Sequence, residues 1–324
     1  MADIHVGSGR RLIGEQVLQS KRSRTNWRGY LPAIITPFND SLELDLGMLG
    51  AHLEWLEAEG MHGLVAAGTT GEWTSLSPQE RKQLFDAMGA QMKGKLPLLA
   101  GCTAFTPTAV LDFADAAHAS GFDGILRTPP PYIRPSDNEI FAFYQTVSNG
   151  SALPICVYNW PPGTGIDMSL ELLQRLAEIE QIVAIKQSTG RLDRFIATFF
   201  ALGEQVRIFG FSMDEHGLTL LSSRGGDGTI GAGGPLGRDH PDFFNHIWAG
   251  DLDAARACGV RDRRALEDWY TPDLVGRFGS GPAILKAAFA IRGVPAGRVR
   301  PPLLDVSEND RERIAMTLQA LDKI

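Results

Sequence analysis

A lysine at the end of a short apolar run is the first candidate for chemistry in this sequence. The run Ile182–Ile185 is rich in β-branched residues, as is typical of a buried strand, and Lys186 follows it directly. Burial lowers the pKa of an amine, and an amine that is neutral at working pH attacks carbonyl carbon. The alternative is that Lys186 lies one residue beyond the sheet and points into water.

Hydroxyl groups and glycines follow a second apolar run. In the segment Gly68-Thr69-Thr70-Gly71-Glu72, two hydroxyls stand between two glycines, which permit a tight turn with exposed backbone N–H groups. Such a turn suits a carboxylate, so we expect Thr69, Thr70 and the backbone at Gly71 to bind one. The segment is also compatible with an ordinary turn between a strand and a helix.

A phenol and a glycine-rich segment complete the set of candidates. Tyr158 closes a further apolar run, where its hydroxyl could transfer protons or could belong to a core aromatic residue. The segment 225–234 is rich in glycine, which lets the backbone approach a ligand closely. In some barrels the last loops bind phosphate, so a phosphosugar ligand is an alternative reading of this segment.

An amine, a phenol, two hydroxyls and a glycine-rich wall are what imine chemistry requires. The amine attacks the ketone of a 2-oxo acid, hydroxyls relay protons, and backbone donors hold the carboxylate. The resulting iminium accepts electrons from the adjacent carbon, so this chemistry needs no metal. No Cys and His residues have metal-ligand spacing, which agrees with that reading.

The elements that must position these residues repeat along the chain. Eight apolar runs alternate with amphipathic helical patterns, at roughly 25–30 residues a unit. Continuous apolar strands are typical of parallel sheets covered on both faces, and eight units favour a closed (β/α)8 TIM barrel. A doubly wound open sheet is the competing fold, but no Gly-x-Gly-x-x-Gly follows the first strand. In such a barrel, active residues stand at the carboxyl ends of the strands, where Lys186, Tyr158 and Thr69–Thr70 fall.

The chain divides into three parts. We predict an N-terminal extension over 1–27, the α/β barrel over 28–249 and a C-terminal helical region over 250–324. The extension has scattered basic residues and no apolar segment of a secretory signal, so an arm or a disordered leader is expected, with a partner-binding arm as the alternative.

Composition narrows the class of protein. The chain has 324 residues, of which 44% are hydrophobic and 21% charged, as in ordinary globular proteins. A net charge of −7 argues against nucleic acid or an anionic membrane as partner. The three cysteines are widely spaced, which fits a reducing, cytoplasmic compartment without disulfides, and no apolar run of about 18 residues predicts a membrane span.

These motifs, in this order, resemble the dihydrodipicolinate synthase / N-acetylneuraminate lyase family of class I aldolases over about residues 28–321. The motifs that carry the resemblance are Gly68-Thr69-Thr70-Gly71-Glu72, Tyr132 with Arg134-Pro135-Ser136, Tyr158-Asn159-x-Pro161, and Ile185-Lys186-x-Ser188-Thr189-Gly190. The resemblance implies a (β/α)8 barrel with a helical C-terminal region, a homotetramer built from two tight dimers, and no cofactor beyond the covalent lysine imine.

The resemblance also implies roles for single residues. Lys186 would form the Schiff base with pyruvate or a related 2-oxo acid, and Tyr158 would transfer protons. Thr69 and Thr70 would bind the carboxylate, with Thr70 also linking Tyr158 to Tyr132, which would reach the site of a neighbouring subunit. Ile230 would line the pyruvate pocket and offer its backbone carbonyl.

Two positions depart from the synthase pattern. Gly163 stands where the synthase carries an arginine that binds the carboxylate of aspartate semialdehyde, and glycine cannot make that bidentate contact. Pro131 stands where the synthase usually has a second tyrosine. We therefore expect a Schiff-base aldolase or dehydratase acting on a 2-keto-3-deoxy sugar acid or another 2-oxo acid. The authentic 4-hydroxy-tetrahydrodipicolinate synthase and a non-catalytic ligand-binding barrel are the alternatives, and Trp73, Trp160 and Phe211 are the candidates for the acceptor pocket.

Overall fold

A computed structural model describes residues 20–324 as a closed barrel of eight parallel strands with helices around it. Neighbouring strands in the barrel are consecutive in sequence, and the first strand pairs with the eighth. The strands are β1 (Gly29–Ala33), β2 (Leu64–Ala66), β3 (Leu98–Gly101), β4 (Gly124–Arg127), β5 (Ile155–Asn159), β6 (Ile182–Gln187), β7 (Arg207–Phe209) and β8 (Gly228–Ala232). The predicted (β/α)8 barrel is confirmed.

Twelve α-helices occur in residues 20–324, and the last three, α10 to α12, form the C-terminal helical region. The helices are α1 (Leu46–Ala58), α2 (Pro78–Met92), α3 (Pro107–Ala119), α4 (Asp137–Gly150), α5 (Pro161–Thr164), α6 (Leu170–Glu178), α7 (Leu192–Leu202), α8 (Glu215–Arg224), α9 (Asp239–Ala249), α10 (Leu252–Trp269), α11 (Gly281–Ile291) and α12 (Glu308–Ala320). None of these helices has the length and apolar composition that a membrane crossing requires.

Local sequence signals explain where the helices begin. Ser77 accepts a hydrogen bond from the backbone of Glu80, whose carboxylate accepts one from the backbone of Ser77 at 2.8 Å. Ser136 and Glu139 form the same reciprocal pair at the start of α4. These capping boxes satisfy N–H groups that a helix leaves without partners, so they determine the residue at which each of these two helices begins.

Several strands are shorter than the apolar runs that predict them. The run over residues 30–38 predicts one long strand, but β1 ends at Ala33, and the apolar residues beyond it lie in the loop. Strand β2 likewise ends at Ala66, because Ala67 adopts a φ of 46° and turns the chain out of the sheet. The residues beyond these two strand ends therefore belong to loops at the carboxyl end of the barrel rather than to its wall.

The barrel interior is filled by one side of each strand. Ala184 and Lys186 on β6 pair with Cys156 and Tyr158 on β5. Because side chains alternate across a strand, these residues point into the barrel in two successive layers. The interior cluster is completed by Trp27, Leu31, Ala33, Val65, Leu99, Leu126, Val183, Phe209 and Ile230.

The amino end of the barrel is closed by a residue that the predicted boundary assigns to the N-terminal extension. Trp27 is 1% exposed, and its ring occupies the space that a side chain on Gly124, the first residue of β4, would fill. Just before it, Lys21 donates hydrogen bonds to Ala177 and Ile179, at the end of α6. Residues 20–27 therefore pack on the barrel, whereas the rest of the predicted extension lies outside the described residues.

We expect Trp27→Ala to lower the free energy of unfolding by about 3–5 kcal/mol, because it leaves a cavity at the floor of the barrel. Urea unfolding followed by circular dichroism measures the change. Trp248→Ala is the matched control, since Trp248 is 39% exposed and should cost much less. Equal losses for the two variants would mean that Trp27 does not close the core.

Candidate active site

Lys186 and Tyr158 form the centre of the candidate site. They are paired residues on β6 and β5, and their side chains are 7% and 6% exposed. The Lys186 Nζ lies 4.0 Å from the centre of the Tyr158 ring. Lys186 therefore does not point into bulk water, and its amine faces an aromatic residue inside the barrel.

Burial changes the acid–base properties of both residues. It lowers the pKa of Lys186 from 10.5 to about 8, and the Cys156 thiol one layer below opposes this shift. Burial also raises the pKa of Tyr158, against the effect of hydrogen bonds from the hydroxyls of Thr69 and Ser188. Near pH 8 the amine is therefore about half neutral while the phenol keeps its proton, which is the combination that carbonyl attack with proton relay requires.

The turn that carries Thr69 and Thr70 is held in an unusual conformation. Residues 67 and 72, on either side of it, are not glycine yet have φ values of 46° and 53°. The Thr36 hydroxyl donates to the Gly71 carbonyl at 2.7 Å, and a Cβ on Gly71 would lie 3.0 Å from the Ile34 carbonyl oxygen. The close packing explains the glycine at 71, and it fixes the path of the backbone directly after Thr69 and Thr70.

The surroundings of the Tyr158 phenol bear on the proposed proton link. The Thr69 and Ser188 hydroxyls lie close enough to the phenol to oppose the rise in its pKa. The link through Thr70 that the resemblance implies stays a prediction. The roles of Thr70 and Gly71 in carboxylate binding stay predictions.

Ser188 is a site residue that the sequence analysis quotes only as part of a motif. It lies two residues after Lys186, and strand alternation places residues i and i+2 on the same face. That spacing is the signal that could have identified it. Its backbone N–H also donates to the Asn159 carbonyl at 3.0 Å, which extends the pairing of the two strands to the barrel mouth.

Tyr132 is not brought to Tyr158 within one chain. Its side chain is 93% exposed, and its φ of 74° is rare for a bulky residue. The Ile133 N–H donates to the Pro131 carbonyl at 2.9 Å, so Tyr132 is the centre of a strained three-residue turn. A role for its phenol therefore requires a second copy of the chain and stays a prediction.

The eighth strand contributes Ile230, which is 4% exposed and belongs to the interior cluster with Tyr158. Two glycines of this strand have packing reasons. A Cβ on Gly228 would lie 2.0 Å from the Gly29 carbonyl oxygen, and one on Gly231 would lie 2.3 Å from the Tyr30 hydroxyl. Close strand contact thus accounts for these glycines without a phosphate ligand.

The turn after β5 contains Gly163, which stands where the synthase pattern has an arginine. A Cβ at this position would lie 2.3 Å from the indole of Trp160, which stacks on Tyr158 with ring centres 5.9 Å apart. Trp160 therefore fills the space that a side chain at position 163 would need, beside the proposed proton donor.

Of the other two candidates for the acceptor pocket, Phe211 is wrong, because it packs in the outer core against Phe195 and Phe199.

The third candidate, Trp73, is partly buried and packs against the outer core, with the Arg81 guanidinium 5.5 Å from the centre of its ring. It is therefore explained by packing.

A buried polar network holds the ends of β5 and β6 together outside the barrel. The Asn159 amide donates to Gln187 at 2.6 Å and to Asp167 at 2.9 Å, and the Gln187 amide donates to Thr198 at 2.9 Å. Asn159 and Gln187 directly follow Tyr158 and Lys186, so the network fixes the two catalytic candidates from the opposite face of the sheet. Within residues 20–324, no group of three His, Cys, Asp or Glu side chains is arranged to hold a metal ion.

Comparison with known proteins agrees with this geometry. The model of the dihydrodipicolinate synthetase family matches residues 26–321. The 4-hydroxy-tetrahydrodipicolinate synthase of Methanospirillum hungatei is 31% identical over 300 residues, 91% of this chain and 100% of that protein. The corresponding synthase of Oceanobacillus iheyensis is 27% identical over 296 residues, 90% of this chain and 97% of that protein.

Solved structures give the same result. The dihydrodipicolinate synthase of Acinetobacter baumannii, in complex with pyruvate, has a TM-score of 0.80 and 27% identity, and the match covers 92% of this chain and 99% of that one. The synthase of Thermotoga maritima has a TM-score of 0.81 and 26% identity, with the same coverage. The chain therefore belongs to the dihydrodipicolinate synthetase family of class I aldolase-type lyases.

Proposed function

We propose that the protein is a Schiff-base lyase that acts on pyruvate or a related 2-oxo acid through Lys186. The observation that carries the proposal is the buried amine, 7% exposed and 4.0 Å from the centre of the Tyr158 ring. A lysine held this way has no structural purpose that a leucine would not serve better, because burying an amine costs free energy. Such a cost is typical of a functional site.

The residues fit the successive steps of imine chemistry. The neutral Lys186 amine attacks C2 of the 2-oxo acid to give a carbinolamine, which loses water to form a protonated imine. Loss of a proton from C3 gives an enamine, which attacks an aldehyde in the synthetic direction. In the cleavage direction, the C3–C4 bond breaks to release the aldehyde and the enamine. Tyr158 carries protons to and from the oxygen and carbon centres, with the Thr69 and Ser188 hydroxyls close to its phenol.

The turn after β5 favours an acceptor other than aspartate semialdehyde. Gly163 supplies no cation, and Trp160 occupies the space beside it. We propose an aldol or dehydration reaction on a 2-keto-3-deoxy sugar acid or a similar 2-oxo acid. We propose that the enzyme needs no cofactor and works as a homotetramer in the cytoplasm.

The alternative function is that of the relatives named 4-hydroxy-tetrahydrodipicolinate synthase. One observation favours it, because an arginine approaches the same turn from another loop. The Arg134 guanidinium lies 3.4 Å from the position that a Cβ of Gly165 would take. This guanidinium could meet an acceptor carboxylate in place of the missing arginine. A barrel that only binds ligand is less well supported, since it would not need a lowered lysine pKa.

We expect borohydride to add the mass of reduced pyruvate irreversibly to the wild-type protein, with the adduct on Lys186. Intact-protein and peptide mass spectrometry measure the adduct. Lys186→Ala should abolish it, whereas Lys93→Ala, at an exposed lysine, should not. Absence of an adduct with pyruvate and with several other 2-oxo acids would refute the proposed function.

Imine formation should rise with pH and level off above about pH 8. The lowered pKa of Lys186 means that the unreactive ammonium form predominates below that value and the neutral amine above it. Samples incubated with saturating pyruvate at each pH, then reduced at one fixed pH, give the rate of imine formation. A midpoint near the ordinary value of 10.5 would show that burial does not activate the amine.

The wild type should turn over aspartate semialdehyde with pyruvate poorly, and Gly163→Arg with Trp160→Val should improve it by about 10- to 100-fold in kcat/KM. A regained charged hydrogen bond accounts for a gain of that size. The control is Trp160→Val alone, which makes room without adding the guanidinium. Efficient wild-type turnover that is lost in Arg134→Met would instead support the synthase.

A further inference from the structure

A buried ion pair joins the proposed carboxylate-binding turn to the C-terminal helical region. Glu72, the last residue of the Gly68–Glu72 motif, is 2% exposed, and Lys286 on α11 is 3% exposed. Their Oε1 and Nζ atoms are 2.5 Å apart, although 214 residues separate them in sequence. Neither residue belongs to a strand of the barrel, since Glu72 follows β2 and Lys286 lies on α11.

Both residues of the pair also form hydrogen bonds with the backbone of one further segment, residues 298–300. The second oxygen of Glu72 accepts from the Arg300 backbone N–H at 3.0 Å, and Lys286 donates to the Arg298 carbonyl at 2.6 Å. The Lys286 ammonium also lies 4.6 Å from the centre of the Phe38 ring. A buried charge is tolerated only with such a full set of partners, so this is a built contact rather than a chance surface pair.

The Arg300 side chain holds the chain that follows the turn. Its guanidinium donates to both carboxylate oxygens of Glu80, at 3.0 and 2.6 Å, and to the Ser75 carbonyl at 2.9 Å. Glu80 belongs to the capping box that starts α2. The C-terminal region therefore fixes the polypeptide at Glu72 and again at Ser75–Glu80, on the far side of the Thr69–Thr70 turn from the barrel.

The turn needs this support because its backbone is strained. Ala67 and Glu72 both have positive φ values, which cost conformational energy and persist only where the surroundings impose them. Glu72 is itself one of the two strained residues, and its side chain is the one held by Lys286. Without that anchor, Glu72 could relax to negative φ, and the hydroxyls of Thr69 and Thr70 would move relative to Lys186.

We propose that Lys286 is a positioning residue for recognition of the 2-oxo acid carboxylate, acting through Glu72 on the Thr69–Thr70 turn. The inference rests on the proposed function, because it concerns binding of the 2-oxo acid at the same site. Lys286 lies 100 positions after Lys186 in the sequence. Preorganised donors bind an anion more tightly than donors that must first be ordered, so the pair should govern the affinity for the 2-oxo acid more than the reactivity of the amine.

The test measures imine trapping against pyruvate concentration, which requires no knowledge of the acceptor. We expect Glu72→Gln and Lys286→Met each to raise the pyruvate concentration for half-maximal trapping by at least about 10-fold, as loss of a preorganised charge-assisted contact would. The pH midpoint of trapping at saturating pyruvate should stay near that of the wild type. The double variant should be no worse than the worse single variant, because both changes break one contact.

Lys323→Met is the matched control. Lys323 forms a mostly buried ion pair with Asp239 at 2.6 Å in the same C-terminal region but does not contact the turn. A merely structural role for Lys286 would lower the thermal midpoint in both variants and leave half-saturation of the folded protein unchanged. Glu72→Gln preserves size and shape, so it keeps the test decisive if Lys286→Met does not fold.

Two failures can be told apart. If the wild type forms no pyruvate adduct, the proposed function fails. If the wild type forms the adduct and folded Glu72→Gln reaches half-maximal trapping within about 3-fold of the wild-type pyruvate concentration, only the positioning role is overturned.

Discussion

The site depends on removing one amine from water. Desolvation is the first cause of the lowered pKa of Lys186, and no nearby cation is needed to produce it. The barrel achieves this by pointing the side chain inward above a layer of small and apolar residues, with the Tyr158 ring as its neighbour. A closed ring of strands suits this purpose, because every inward position is shielded by the others while the carboxyl end stays open to a ligand.

Keeping such a residue buried requires support from contacts beyond the Lys186–Tyr158 pair. Three sets of contacts supply it: the amide network behind β5 and β6, the buried ion pair on the Thr69–Thr70 turn, and the packing of Trp27 at the opposite end. Each acts on a different strand end or loop. The geometry of the candidate site therefore depends on contacts that come from residues as far apart as Trp27 and Lys286.

Local signals in the sequence predicted much of this structure, and long-range contacts account for the rest. Apolar runs and capping residues such as Ser77 depend on near neighbours, so the eight units and the barrel followed from them. Lys186 could be identified because a lysine ending an apolar run is unusual. Glu72 and Lys286 could not be paired, since nothing in either segment marks a partner 214 residues away. The position of Phe211 in the outer core could not be predicted either, because an apolar run defines the end of its strand only to within a residue or two.

The pairing of Tyr158 with Lys186 also constrains how the protein can change over evolutionary time. Strand β6 has a bulge at Val183, opposite Ile155 and Cys156 of β5, and beyond it the register is continuous through Tyr158 and Lys186. Inserting or deleting one residue in this stretch would rotate the phenol to the outside of the barrel and leave the amine without its neighbour. New substrate preferences must therefore arise beyond Asn159 and Gln187, in loops whose length can drift while the two strands keep a fixed count.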